Sequence, residues 1–354
     1  MKELAQPDHP EKLAASLGIS REAAELHLSS DVIDLHVESF IWTRIIGYDL
    51  ARRHGLGLLR GQWFHQADLP RAIAGGVSGA TWSITTNFVP NADERVDNLV
   101  GNIASLKAAL TKTGKARVVR TVTEYRAARE AGLHAALVGL QGGNAIDRAP
   151  HDLELLADGT VSRITLLHLT NSALGTSSSP LAGPIDHGMT ARGRDFVRAL
   201  NHRRILVDLA HASRRTFWDA IAVHDRAVPI VVTHTGVSGV WPHWRNLDDD
   251  QLRAIADRGG TIGVMLMARF LGRRREVTVD AVVQHLAHII DTVGEDHASI
   301  GTDYDGWIRP PADLPSYAEL PRLTHALLQR GYEPERVQKV LGRNFLRVLR
   351  DLRG

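Results

Sequence analysis

Four histidines fall at or near the ends of apolar runs: His36 in "VIDLH", His168 in "RITLLHL", His211 in "ILVDLAH" and His234 in "PIVVTHT". Asp303 closes a further run, "ASIGTD". Imidazoles and a carboxylate at corresponding strand ends are the donor set of a metal site, because each neutral ring offers a lone pair and each acid a charge. The chain has no cysteine among 354 residues. Disulfides, thiolate catalysis and zinc–thiolate sites are therefore excluded, and any metal must be held by histidine, carboxylate or amide groups.

Spacing adds detail. In "DLHVE", His36 and Glu38 are two apart and project to one side of an extended chain, so together they can grip one divalent ion. "DLAHAS" and "VTHTG" supply His211 and His234 from successive strands. Two neutral rings make a weakly charged half-site that needs an anion shared with its neighbour, either a carboxylate or a hydroxide. A hydroxide between two cations would be a nucleophile at neutral pH. The residue at the end of "HAALVGLQ" is instead an amide, Gln141, followed by Gly142 and Gly143.

These residues need a scaffold that brings strand ends together. Eight short apolar runs can be read as strands, at 32–36, 79–84, 134–141, 163–169, 205–211, 229–235, 261–267 and 298–303. Amphipathic stretches such as "TARGRDFVRALNHRR", "SRRTFWDAIAVH" and "VTVDAVVQHLAHIIDTVG" alternate with them, opened by Ser or Thr caps or closed by Gly. Near-continuous apolar strands alternating with helices predict a parallel sheet covered on its outer face. Eight such units predict an α/β fold of the (β/α)8 TIM-barrel type, whose active sites lie at the C-terminal strand ends.

The chain is expected to form one barrel domain over 1–354, with a helical extension at 1–30, a long insert after strand one at 37–78 and closing helices at the C-terminus. The insert is too long for a plain connection and reads as a wall over the pocket. Its Trp42, Arg44, Tyr48, Arg52 and Arg53 are expected to shape that pocket, the arginines suiting a carboxylate-bearing ligand.

Lys plus Arg exceed Asp plus Glu by 42 to 40. The "GRRRE" run reads as a solvated loop, so nucleic acid is not expected as a partner. The polar N-terminus lacks the apolar core of a secretory signal, and no run approaches the roughly 18 apolar residues of a membrane span. A cytoplasmic enzyme acting on a small-molecule substrate, without membrane association, is the expectation.

Nine blocks taken in order, among them "VIDLHVE", "LQGGNAID", "ITLLHLTNSALG", "RNLDDDQLRAIADRGGTIGV" and "HASIGTDYDG", resemble the membrane (renal) dipeptidase family, peptidase family M19, over about residues 31 to 350. These are binuclear zinc peptidases on amidohydrolase-like barrels. The resemblance implies that His36 and Glu38 bind one metal and His211 and His234 the other. It implies that His168 meets the substrate carbonyl and its oxyanion, that Arg245 pairs with a terminal carboxylate, and that Asp303 meets the substrate amine and passes a proton to the leaving group. Asp305 competes for that last role, but Asp303 is nearer the strand end. A homodimer is also implied.

Two positions depart from the family. Glu38 stands where aspartate is usual, and Gln141 stands where a glutamate bridges the metals. An amide oxygen can bind one cation, but its nitrogen has no lone pair for a second. The expected activity is hydrolysis of a dipeptide or related N-acyl amino acid with one or two zinc ions. Two alternatives stay open: a tailoring enzyme with iron or another divalent metal acting on a non-peptide metabolite, and an inactive dipeptidase-like binding protein.

Overall fold

Nine strands form the sheet of the computed structural model, which describes residues 10–57, 59–86, 92–146, 150–273 and 277–354. They are β1 (Ile33–Val37), β2 (Gly79–Thr85), β3 (Ala116–Val118), β4 (His134–Gln141), β5 (Val161–Thr165), β6 (Leu206–Asp208), β7 (Ile230–Thr235), β8 (Ile262–Val264) and β9 (Ala298–Ile300). Every pairing is parallel, in the order β1-β2-β4-β5-β6-β7-β8-β9. The ring is nearly closed where the chain after β9 meets β1: Asp303 N donates to His36 O at 3.0 Å, and Glu38 N donates to Tyr304 O at 2.9 Å. This is the expected eight-stranded α/β barrel.

Two features differ from the sequence reading. β3 was not foreseen; it runs beside the first half of β4, pairing Ala116–Val118 with 134–136, while β5 takes the second half. The strands also stop earlier than the apolar runs do. Leu166, Leu167, Leu209, Ala210, Met265 and Leu266 are all buried, yet they follow the last paired residues of β5, β6 and β8. Apolar character marks burial under the barrel mouth as well as strand pairing, so it overshoots the strand ends. As a result His168, His211 and Asp303 each stand three residues beyond their strands, on turns rather than at strand ends.

The helices begin where capping chemistry places them. Thr190, Ser213 and Asp248 each accept a hydrogen bond from the third following backbone N–H, and Gln251 completes a capping box with Asp248. The N-terminal helices Pro10–Leu17 and Arg21–Ser29 pack together, the second against the closing helix Pro321–Gln329. There His27 is buried between Thr324 Oγ1 at 2.7 Å and Gly75 O at 2.8 Å. Residues 1–9 of the expected extension and 274–276 of the basic run lie outside the described residues.

The insert after β1 carries helices Phe40–Ile46 and Leu69–Ala74. Asp305 pins it to the barrel: its carboxylate accepts from Ser39 Oγ at 2.6 Å, Gln66 N at 2.7 Å and Ala67 N at 3.2 Å. Among the described residues no helix is long and apolar enough to cross a membrane.

Candidate metal centre

The barrel mouth gathers all eight residues singled out from the sequence. His36 on β1 places Nε2 at 3.1 Å from Glu38 Oε1 and 3.5 Å from Asp303 Oδ1. The His36 and His234 rings stack with centroids 3.8 Å apart. His211 Nε2 lies 2.9 Å from His234 Nε2 and 3.4 Å from Gln141 Nε2. His168 stands edge-on to His211 with centroids 4.9 Å apart. Arg245 is buried and donates from Nη2 to His234 O at 2.7 Å. One grouping differs from the sequence pairing, since ligand atoms of His36, His234 and Asp303 lie within 4.8 Å of one another. The two half-sites are thus not separate.

Local structure explains these positions. β4 ends at Gln141 because Gly142 follows with φ 98°, a conformation open to glycine that turns the chain at once. His211 and Asp303 themselves hold φ of 65° and 58°. Non-glycine residues in this region are uncommon and tend to cluster at functional sites.

Below the centre lies a buried support that the sequence reading missed. Arg163, on β5, is fully buried and donates from Nη2 to His36 Nδ1 at 2.9 Å and to Ser83 Oγ at 2.7 Å. Its Nη1 contacts Asp208 Oδ2 at 3.3 Å. Gly139 leaves the space for it, since a Cβ there would meet Arg163 Nη2 at 2.6 Å. Asp208 also accepts from Thr165 Oγ1 at 2.6 Å and Thr233 Oγ1 at 2.7 Å. The signal was available: a charged residue inside a strand buried on both faces needs a partner on another strand.

These bonds decide where one ring keeps its lone pair. Thr233 spends its only hydroxyl proton on Asp208, so at 2.9 Å it accepts from His234 Nδ1. The neutral His234 ring therefore turns a bare Nε2 to His211 Nε2. Burial lowers the pKa of His211 and of His234 well below the usual histidine value, with Arg245 among the charges that lower both further. Two neutral rings hold so short a contact only with a proton or a cation between them.

Around them, His36 Nε2, Glu38 Oε1, Gln141 Oε1 and His211 Nδ1 are buried without hydrogen-bond partners. Buried polar atoms are seldom left so, and four on residues of one barrel mouth point to a missing ligand. Glu38 Oε1, Gln141 Oε1 and His234 Nε2 offer lone pairs that fit a divalent cation. Arg163, donating to His36 Nδ1, leaves the proton of the neutral His36 ring on Nε2, facing Glu38, so that His36 becomes a ligand only on losing it. Glu38 Oε2 is steadied by the Thr85 hydroxyl. Burial raises the Glu38 pKa, and burial together with Glu38 raises that of Asp303 well above the carboxylate range.

The mouth opens into a cavity of about 580 Å³ that touches Glu38, Gln141, His168, His211, Arg245 and Asp303. The insert contributes Ile41, Trp42 and Ile45 to it. The basic wall expected of the insert is not there. Arg44 donates to Thr85 O outside this cavity, Tyr48 is buried against Ala67 O and Arg71, and Arg52 and Arg53 are exposed.

The profile of the family described as membrane dipeptidase (peptidase family M19) matches residues 20–353. An uncharacterized protein in the pqqA 5′ region of Klebsiella pneumoniae is 33% identical over 268 residues, covering 73% of this chain and 97% of that protein. Dipeptidase tcpJ of Claviceps purpurea is 32% identical over 219 residues, 62% of this chain and 51% of that protein. Among solved structures, an amidohydrolase from Pseudomonas aeruginosa superposes with a TM-score of 0.76 at 27% identity, covering 93% of this chain and 98% of that one.

Proposed function

From the chain's membership of the membrane dipeptidase family, peptidase family M19, we propose that it is a metal-dependent hydrolase cleaving the amide of a dipeptide or related N-acyl amino acid. The observation that carries this reading is the grouping of His36, His234 and Asp303 within 4.8 Å of one another, with buried unpartnered polar atoms on Glu38 and Gln141, beside a substrate-sized cavity.

Glu38, His211, His234 and the Gln141 oxygen would hold the metal, joined by His36 once its Nε2 proton is displaced, with zinc first and iron or another divalent ion as alternatives. When bound, a divalent ion there supplies Lewis acidity and a water that ionises near neutral pH. Arg245 binds the substrate carboxylate. Burial lowers its pKa only to about 10, so it stays charged, and its Nε is a buried donor without a partner. His168, lowered by burial to about 4, is a neutral ring at the working pH and can donate one N–H to the carbonyl oxygen as charge develops there. Asp303 holds a proton at Oδ for the departing amine.

Arg245→Lys separates binding from chemistry. Loss of the guanidinium fork should raise KM for Ala-Ala by about tenfold or more with a smaller change in kcat. An unchanged KM would remove Arg245 from the substrate site.

A further inference from the structure

Apolar side chains gather on one arc of the barrel mouth. Gln141 ends β4, His168 and His211 follow β5 and β6, and on the rest of the ring Arg245, Asp303, Asp305 and Glu38 line the cavity among a larger number of apolar side chains. Trp244 comes after β7, Met265, Met267 and Phe270 after β8, Trp307 after β9 and Trp42 after β1. Because β7, β8, β9 and β1 are successive around the ring, these six side chains lie along one arc of the 580 Å³ cavity, which Arg245, Asp303 and Glu38 also reach. Its aromatic members are matched to each other: Trp42 and Trp307 stack at 5.6 Å, and Trp244 meets Phe270 at 5.6 Å and 71°.

The wall is also left partly wet. Trp244 is 41% and Trp307 59% exposed while lining the cavity. Apolar surface held open in a concave site gains most from an apolar ligand, and a cavity of this size lies within the roughly 300–1,000 Å³ range of sites for drug-sized ligands. Two alanine residues would leave most of it filled with water.

We propose that the substrate carries a large aromatic or branched apolar group beside the scissile amide, as a hydrophobic dipeptide or an N-arylacyl amino acid does. The inference rests on the hydrolase reading for the position of that amide, but not for the apolar wall. Arg245 holds the reacting end beside the residues that would bind the metal, and the arc from Trp244 to Trp42 covers the apolar group. Met265 and Met267 give the wall adaptable thioethers, so size and apolarity are selected more strongly than one shape.

The test has a binding arm and a turnover arm. Calorimetric titration of the metal-loaded protein with N-acetyl-alanine and N-phenylacetyl-alanine should show the second binding at least tenfold tighter, as expected for burial of one phenyl ring. Trp307→Ala, at a position 59% exposed, should narrow the ratio severalfold. Turnover should rise in kcat/KM from Ala-Ala to Leu-Leu to Phe-Phe. Equal binding of the two acyl-alanines, or a preference for Ala-Ala over Phe-Phe, would overturn the proposal. Selective binding of the phenylacetyl ligand with no hydrolysis of any compound would support the apolar site and overturn the hydrolase reading instead.

Discussion

Replacing Gln141 by glutamate should act in opposite directions with and without metal. The side chain ends 3.4 Å from His211 Nε2 and is buried, with Oε1 unpartnered. In the metal-free protein the new carboxylate faces neutral imidazoles and receives no backbone donor, so burial penalises it by about 1–3 kcal/mol even after it takes up a proton. The metal-free variant should melt several degrees below the parent. With a divalent ion bound, a unit charge pair at about 4 Å is worth on the order of 4 kcal/mol at an effective dielectric of about 20, and desolvation removes about half of it. A net gain of about 2 kcal/mol corresponds to roughly 30-fold tighter binding. Metal content after dialysis, zinc titration calorimetry and melting curves with and without chelator read these effects. The zinc-loaded variant should bind more metal than the parent and melt higher relative to its own metal-free form. Identical metal affinity and equal melting shifts in both states would show that position 141 does not face the metals.

Three further outcomes follow from the buried groups. Arg163→Met leaves Asp208 charged and unpaired inside the barrel, so it should lose about 3–5 kcal/mol in denaturant unfolding, and adding Asp208→Asn should restore part of the loss. His27 and His134 are both held at about 4 by burial, below their unfolded value. Their neutral forms stabilise the fold above about pH 6.5, and that contribution, about 3 kcal/mol each, is lost as the pH falls toward 4. Unfolding free energy should therefore drop steeply across this window and less so in His27→Gln. Asp305→Asn puts an amide NH₂ among the Ser39, Gln66 and Ala67 donors, which should cost about 1–3 kcal/mol and raise protease cleavage within the insert.

Much of the scaffold was legible because burial on both faces writes itself as uninterrupted apolar sequence. "HAALVGLQ" matches β4 residue for residue, since Gln141 and Gly142 end the pairing and the apolar run together. In "RITLLHL" the two signals separate: pairing stops at Thr165, while Leu166 and Leu167 stay buried. β3 is three residues long with Arg117 exposed at its centre, which leaves no pattern to read. The histidines and Asp303 were found because their chemistry is unusual at strand ends. The pocket walls were not, because Met265, Met267 and Phe270 look like ordinary core residues until the chain's path turns them to the cavity. The insert misled for the opposite reason: its arginines draw notice in the sequence, whereas Trp42 and its aliphatic neighbours do the lining.

The most direct measurement is release of free amino acids from Phe-Phe by the protein as purified, after removal of metal by chelation, and after return of zinc or iron(II). Hydrolysis should disappear with the metal, return with it, and fail to return in His234→Ala. Hydrolysis that survives complete metal removal, or no hydrolysis of any dipeptide by fully metal-loaded protein, would contradict the hydrolase reading.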